Sequence, residues 1–382
     1  MTSDRSRNYH AEYADRLARA NDYHGAYIAY TRAWWQNPDN ARFAERAGGM
    51  AERSGNSVAA VEWYAKALGT PGVKNRTWYA YGRALEKTTD WEKAGFAFRQ
   101  YARRQRKHNR EIFTHDGGLL EFSSAIRHAA VDRPDYAHSV RHAALLAQKL
   151  GVPAIRVAEL GVASGRGLLA LQDHAETLTR ITGVDIEVWG FDTGEGLPEP
   201  DDYRDLPHYF GEGDYTVQDL EELLARLEAQ KSQLVLGDAV ETVKSWIPDG
   251  PPIGALLFDM DLYSSTSGVL EHLGEGSDHA HFLPRVSLTF DDVMPKDREY
   301  TLKDYSSYTG EAAAISDFNE QHQKVKVDLD RYLVALPEHT VWHDSCYVLH
   351  RFEHSLYNTR IRESAVDHRP LQDNAERGAQ AS

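Results

Sequence analysis

The stretch 155–167 limits the fold of this chain more than any other. Residues 155–160 are an apolar run with the length and composition of a buried strand. A turn of small residues, 161–167, ends this run, and a helical pattern of leucines follows it. Glycine tolerates positive φ and has no Cβ, so such a turn lets a ligand approach the backbone closely. The stretch therefore predicts an α/β fold with a binding site where this strand ends.

The spacing of the small residues narrows the class of ligand. Glu159, Gly161, Ala163 and Gly165 lie two residues apart. This spacing resembles the acidic-x-Gly-x-Gly-x-Gly turn of class I S-adenosylmethionine (SAM) methyltransferases, with Ala163 at the middle glycine. The dinucleotide-binding fingerprint has a different spacing. A small-residue turn also occurs for purely structural reasons, so the rest of the chain has to identify the ligand.

Composition excludes several classes of partner. A chain of 382 residues with 41% hydrophobic and 26% charged residues has the composition of a soluble protein with two domains. The net charge of −15 disfavours nucleic acid, because phosphate binding needs clustered Lys and Arg. No apolar run is long enough to cross a membrane. The single cysteine, Cys346, excludes an internal disulfide. We expect a cytoplasmic protein.

Residues 7–108 contain an internal repeat with a period of 34 residues. Its aligned small and aromatic positions are Ala26, Ala60 and Ala94, and Tyr30, Tyr64 and Phe98. The pattern resembles about three tetratricopeptide (TPR) units, which would span 1–108 as an all-α domain. In such arrays small residues let paired helices approach and aromatic residues fill the space between repeats. We expect this array to contact a protein partner or a second copy of the chain.

The remaining chain divides into three parts. Residues 109–153 are a connection with two helical patterns, about 119–130 and 134–150. Residues 154–356 form the α/β domain, whose last strands are expected within 325–335 and 344–352. The polar tail, 357–382, is expected to be disordered.

Acidic residues follow the second and third strands of the α/β domain. Asp192 ends the second strand, and a carboxylate there can accept hydrogen bonds from both hydroxyls of a ribose. Asp192 follows Gly161 by 31 residues, whereas a nicotinamide-dinucleotide fold places this acid after about 20. Asp238, after strand 233–236, either contacts an adenine amino group or caps the next helix. Between them, a long loop to about 214 is expected to act as a lid.

Two further strands end in pairs of acids. Strand 253–258 leads into Asp259 and Asp261, and strand 286–290 leads into Asp291 and Asp292. Adjacent parallel strands deliver their carboxyl ends to one edge of the sheet, so these carboxylates should lie together. They would repel one another unless a cation lay among them, and oxygen ligands of this kind suit Mg²⁺. Asp261 has the alternative role of capping a helix.

Residues 155–295 taken together resemble the macrocin O-methyltransferase family of SAM-dependent enzymes. The motifs that carry this resemblance are Glu-Leu-Gly-Val-Ala-Ser-Gly from 159, Gly-Phe-Asp-Thr-x-x-Gly-Leu-Pro from 190, Leu-Val-Leu-Gly-Asp from 234, Asp-Met-Asp-Leu-Tyr-Ser-Ser-Thr from 259 and Asp-Asp-Val from 291. Gly194 and Val293 depart from the family pattern near the expected substrate pocket, so the substrate is not carried over. TPR units are not part of that family's usual chain.

The resemblance implies a Rossmann-like fold with a mostly parallel seven-stranded sheet, and SAM as cofactor. It also implies a divalent ion such as Mg²⁺, held by Asp259, Asp291 and Asp292, that chelates two neighbouring substrate hydroxyls; Asp261 is a further candidate ligand. The residues expected to bind SAM are Glu159, Gly161, Ser164, Gly165, Asp192, Thr193, Asp238 and Ala239.

These observations predict methyl transfer to a hydroxyl of a small molecule or glycan, with a sugar diol as the first candidate acceptor. Asp259 is the first candidate to accept the hydroxyl proton, and His208 in the long loop is the second. Three alternatives stay open: a nicotinamide- or nucleotide-binding enzyme, a non-catalytic TPR adaptor with a SAM-binding domain, and a metal-independent N-methyltransferase.

Overall fold

The structure is a computed structural model that describes residues 3–107, 118–217, 219–230, 232–274, 279–294, 305–336 and 339–362. Within these residues an N-terminal array of helices precedes an α/β region. The predicted combination of an all-α part and an α/β part is therefore confirmed.

The N-terminal part forms six helices over the described residues: α1 (Ser3–Arg19), α2 (Tyr23–Gln36), α3 (Ala41–Arg53), α4 (Ser57–Leu68), α5 (Arg76–Lys87) and α6 (Trp91–Lys107). Each helix packs against the next one in sequence. The even-numbered helices begin at 23, 57 and 91, which preserves the period of 34 residues. Asp22 and Asn56 each cap the helix that follows, since their side chains accept a backbone N–H of its first turn.

The aligned positions of the repeat form the core of this array. The six small and aromatic residues identified in the sequence are all buried: Ala26, Tyr30, Ala60, Tyr64, Ala94 and Phe98. The glycines of α3 and α5 make room for the aromatic rings. A Cβ at Gly48 would lie 2.8 Å from the ring of Tyr64, and one at Gly82 would lie 2.9 Å from the ring of Phe98. Membership of the TPR family and contact with a partner stay predictions.

Two helices connect the array to the sheet: α7 (Gly118–Arg127) and α8 (Pro134–Leu150). Pro134 occupies the first turn of α8, where its missing N–H has no helical partner, and Gly151 ends the helix with a φ of 71°. Helix α8 packs against the sheet and is largely buried. Of the predicted connection, 109–117 lies outside the described residues.

The α/β region contains a seven-stranded sheet within the described residues: β1 (Ala154–Leu160), β2 (Asp185–Asp192), β3 (Gln233–Leu236), β4 (Ile253–Phe258), β5 (Phe282–Phe290), β6 (Val325–Leu329) and β7 (Cys346–Arg351). The strand order is β3-β2-β1-β4-β5-β7-β6. Strands β1 to β5 are parallel, and β7 runs antiparallel to both of its neighbours. The predicted mostly parallel seven-stranded sheet is confirmed.

Helices cover both faces of the sheet: α9 (Arg166–Thr182), α10 (Leu220–Gln230), α11 (Ala239–Trp246), α12 (Tyr263–Gly274), α13 (Gly310–Gln321) and the short α14 (Arg331–Val334). Ile155 and Val157 of β1 belong to the core under α8 and α9. Ala158 and Leu160 belong to the opposite core, under α11 to α13. Alternate side chains of a strand point to opposite faces, so both faces of β1 are buried.

The closing strands differ from the prediction in one respect. The expected strand 325–335 stops at Leu329, because the side chain of Asp330 accepts the backbone N–H of Tyr332 and starts α14. Of the predicted tail, residues 357–362 are described. The backbone carbonyl of Tyr357 accepts from the Arg285 guanidinium, and its hydroxyl lies 2.9 Å from Nδ1 of His350. The rest of the predicted tail, 363–382, lies outside the described residues.

Among the helices that the structure describes, none has both the length and the apolar character needed to cross a bilayer.

Replacing Gly48 with alanine should destabilise the protein, although alanine is the better helix former. The new methyl group would overlap the Tyr64 ring, and such overpacking lowers the free energy of unfolding by about 1–3 kcal/mol. Gly49→Ala is the matched control in the same helix, because its Cβ would only reach the Tyr64 hydroxyl at 3.6 Å. Urea unfolding should show Gly49→Ala to be neutral or more stable by up to about 1 kcal/mol. Equal stability of the two variants would contradict this packing.

Candidate functional site

A cavity of about 760 Å³ opens at the carboxyl ends of the parallel strands. Its wall includes the turn after β1, the end of β2, the start of α11 and the acids after β4 and β5. Strand order reverses between β1 and β4, and this is where α/β sheets bind ligands. The volume lies within the range of small-molecule sites.

The turn after β1 requires glycine at its first position. Gly161 has a φ of 84°, and a Cβ there would lie 2.1 Å from the backbone oxygen of Asp259. The carboxylate of Asp192 organises the turn: one oxygen accepts the N–H groups of Val162 and Ala163 at 2.8 Å, and the other accepts that of Gly194. Asp192 therefore both shapes the turn and lines the cavity.

Gly165, a predicted SAM-binding residue, does not line the cavity. It is absent from the wall and buried, and it begins α9 with a φ of 80°. A Cβ there would lie 2.2 Å from Leu223 of α10. The glycine is needed for backbone conformation and for the packing of α10. Ser164 beside it does line the cavity.

Glu159 is almost completely buried at the base of the cavity. Its Oε1 accepts a hydrogen bond from the Tyr136 hydroxyl at 2.9 Å, and its Oε2 has no hydrogen-bond partner among the described residues. Burial, and then the charge of Asp259, raises the pKa of Glu159 well above its usual range. A Cβ at Gly167 would collide with this carboxyl group, so the helix start leaves room for it. Tyr136 was not anticipated, because no sequence spacing relates it to β1.

Three of the four carboxylates after β4 and β5 come together. One oxygen from each of Asp259, Asp291 and Asp292 lies within 4.8 Å of the others. The backbone N–H of Asp292 donates to the buried carboxyl of Glu311 at 2.8 Å. This hydrogen bond holds the residues after β5 in place. Asp261 lines the same cavity with a φ of 62°, but it is not a member of this group. Three carboxylate oxygens at this spacing are a donor set that suits Mg²⁺.

Arg133 supplies a positive charge inside this acidic group. Its Nη1 donates to Asp259 Oδ2 at 3.0 Å, and its Nη2 donates to Asp291 Oδ1 at 2.6 Å. Arg133 was not anticipated from the sequence, although the repulsion among the acids indicated that a cation was needed. Arg133 precedes Asp259 by more than a hundred residues, so only the docking of α8 brings the two together.

Asp259 has an altered pKa in this setting. Burial, followed by the charge of Asp291, raises its pKa to about 7, while Arg133 acts in the opposite direction. A carboxyl group of this kind can hold or release a proton near neutral pH, which a general base requires.

The far end of the cavity is formed by the residues after β2 and β3. Thr193 and Ala239 line it. Asp238 lines the cavity, and its side chain caps α11 by accepting the Val240 N–H at 2.8 Å. Its contact with an adenine stays a prediction.

The long loop after β2 is packed against the cavity. Leu206 and Phe210 form a small apolar cluster with Leu262, and Asp205 is buried where it accepts the Ser264 N–H. Movement of this loop as a lid stays a prediction.

His208 was the second candidate for the base. It is exposed in this loop and does not line the cavity. Its neighbour Tyr209 is on the wall instead. Phe210, two residues after His208, is buried, and the sequence could not show which aromatic residue of this loop would be buried.

Comparisons with known proteins give only distant similarities. No family model matches the chain, and no curated protein matches it. Among solved structures, the calicheamicin methyltransferase CalS11 is 20% identical, with a TM-score of 0.39, covering 67% of this chain and 91% of that one. An O-methyltransferase from Bacillus cereus in complex with SAH is 14% identical, with a TM-score of 0.31, covering 62% and 90%. The Yersinia enterocolitica translocator chaperone SycD is 11% identical, with a TM-score of 0.27, covering 33% and 89%.

At these identities and TM-scores, the similarities carry no argument about function. The function of this chain has to be inferred from its own site.

The raised pKa of Asp259 makes the stability of the metal-free protein depend on pH. The folded state keeps this proton up to about pH 7, whereas the unfolded chain loses it near pH 4. This carboxyl therefore lowers the free energy of unfolding as pH rises from about 4 to 7. Asp259→Asn should remove that contribution. Over this pH window its free energy of unfolding should therefore rise relative to that of wild type by on the order of 1 kcal/mol.

Urea unfolding at several pH values in EDTA measures this difference. Asp238→Asn is the control, because Asp238 is exposed and asparagine also caps helices. Parallel wild-type and Asp259→Asn curves would show that Asp259 ionises normally.

Proposed function

We propose that this protein is a SAM-dependent O-methyltransferase that uses a divalent ion to act on a hydroxyl of a small molecule or glycan, most simply a sugar diol. One observation carries the proposal: a single cavity joins the glycine turn after β1 to the three carboxylates after β4 and β5. The glycine turn suits a nucleoside-type cofactor, and the three carboxylates suit a divalent ion that also binds oxygen atoms of a substrate.

The residues around the turn would hold SAM. Gly161 and Ser164 would border its methionine part, with Glu159 beneath them. Asp192 has three of its acceptor positions used by backbone N–H groups, which leaves acceptor capacity for a ribose hydroxyl. Thr193, Asp238 and Ala239 would border the adenine.

The carboxylates would hold the ion through Asp259, Asp291 and Asp292. The donor set fits a hard divalent cation, because all three side chains offer carboxylate oxygens within 4.8 Å of one another. When bound, such an ion lowers the pKa of a hydroxyl and fixes its direction.

The chain itself would contribute alignment and a proton acceptor. The methyl group leaves the sulfonium sulfur as the acceptor oxygen attacks it, so the wall must hold this oxygen in line with the methyl carbon. Asp259 would take the hydroxyl proton, because its carboxyl group lines the cavity beside the other two acids. The products are the methyl ether and S-adenosylhomocysteine.

SAM should raise the melting temperature of the protein, and NAD(P) should not. Asp192→Ala should abolish the shift, because it removes the carboxylate that shapes the turn. Asp185→Ala is the matched control, at the opposite, exposed end of the same strand. A shift with NAD(P) alone would favour a nicotinamide-dependent enzyme, and a SAM shift without turnover would favour a binding adaptor.

Methyl transfer should depend on the acidic group. A screen of sugar diols, catechols and amines with labelled SAM and Mg²⁺ would identify the acceptor, and EDTA should then stop the reaction. Asp292→Asn should lower kcat/KM on the order of 100-fold, because one ligand of the ion is weakened. Asp249→Asn, exposed in the turn after α11, should leave the rate unchanged. EDTA-insensitive transfer to an amine would instead indicate a metal-independent N-methyltransferase.

A further inference from the structure

We propose that Arg133 is a built-in counter-cation that competes with the divalent ion for Asp259 and Asp291. The identity of the competing ion rests on the proposed function. Arg133 is thus a positioning residue that sets how tightly the acidic group binds metal, and its removal should strengthen that binding.

The contacts of the guanidinium group show the competition directly. Two of the three carboxylates that form the acidic group each give one oxygen to Arg133, at 3.0 Å and 2.6 Å. A divalent ion needs oxygens from these same two side chains. Two cations that share carboxylates at such distances repel each other, so each weakens the binding of the other.

The surroundings of Arg133 hold it in this position. Its guanidinium carbon lies 3.7 Å from the centre of the Tyr136 ring, and Nη2 also donates to Asp135 Oδ2 at 3.1 Å. The side chain is only 20% exposed, so its charge is little screened by water.

Its backbone has a φ of 44°, a left-handed conformation that is uncommon outside glycine. The residue directly before α8 thus combines an uncommon backbone conformation with contacts to the acidic group.

Asp135 gives the guanidinium group a second partner. Asp135 is buried in the first turn of α8, close to Arg133, and it is not one of the three clustered carboxylates. Arg133 can therefore keep one charged hydrogen-bond partner when Asp259 and Asp291 turn to an ion. This makes competition, rather than a permanent block of the site, the expected behaviour.

The test is metal binding by the full-length, EDTA-treated protein. Isothermal titration with MgCl₂ and MnCl₂ should show that Arg133→Gln binds both ions about tenfold more tightly or better, because a competing unit charge is removed. Arg133→Lys should be intermediate, since an ammonium keeps the charge but loses the fork that bridges two carboxylates. Arg141→Gln, within α8, is the matched control, because Arg141 donates to Ser123 and not to the acidic group.

Thermal unfolding gives an independent readout. Arg133→Gln should melt lower than wild type without metal, because its acids are left uncompensated, and Mg²⁺ should raise its melting temperature more than that of wild type. If Arg133→Gln fails to fold, the titration of Arg133→Lys decides the matter. Equal or weaker metal binding by the folded variant than by wild type would overturn the proposal.

The same measurements separate this inference from the proposed function. Tighter metal binding by Arg133→Gln, in a protein whose wild type transfers no methyl group from SAM, would support the inference and reject the function. EDTA-sensitive methyl transfer by wild type, with unchanged metal binding in Arg133→Gln, would support the function and reject the inference.

Discussion

The gathering of carboxylates at one edge of a parallel sheet is the constraint on which the rest of this site depends. Asp259 and Asp291 end adjacent strands and face each other, and their repulsion would oppose the packing of β4 against β5. Arg133 offsets this repulsion through charge-assisted hydrogen bonds to both. Because Arg133 directly precedes α8, the site is complete only when that helix is docked on the sheet.

Helix α8 also ties the N-terminal array to the site. Buried residues of α5 and α6, including Leu85 and Phe98, belong to the same apolar core as residues of α8 and β1. The ring of His128, in the connection between α7 and α8, stacks on Phe98 with 5.0 Å between ring centres. The array and the wall of the cavity are therefore parts of one continuous packing arrangement, which is unlike two domains joined by a polar linker.

A second layer of buried acids supports the first. Burial raises the pKa values of Glu159 and Glu311 well above the usual range, and in both cases nearby aspartates add to the effect. The raised pKa values favour the protonated form of both side chains, which reduces the negative charge beneath the carboxylates. The acidic edge thus combines carboxylates that face the cavity with buried carboxyl groups whose protonated form is favoured.

The sequence by itself determined the features that are local along the chain. The turn at Gly161, the acids at the ends of strands and the 34-residue repeat follow from spacing and backbone sterics, and the sheet and helices follow from apolar periodicity. Only the tertiary structure decided that Arg133 reaches Asp259, that Gly165 faces α10 and that His208 is exposed and does not line the cavity. The reason is physical: these outcomes depend on how distant helices and a long loop pack, and no local pattern records that packing.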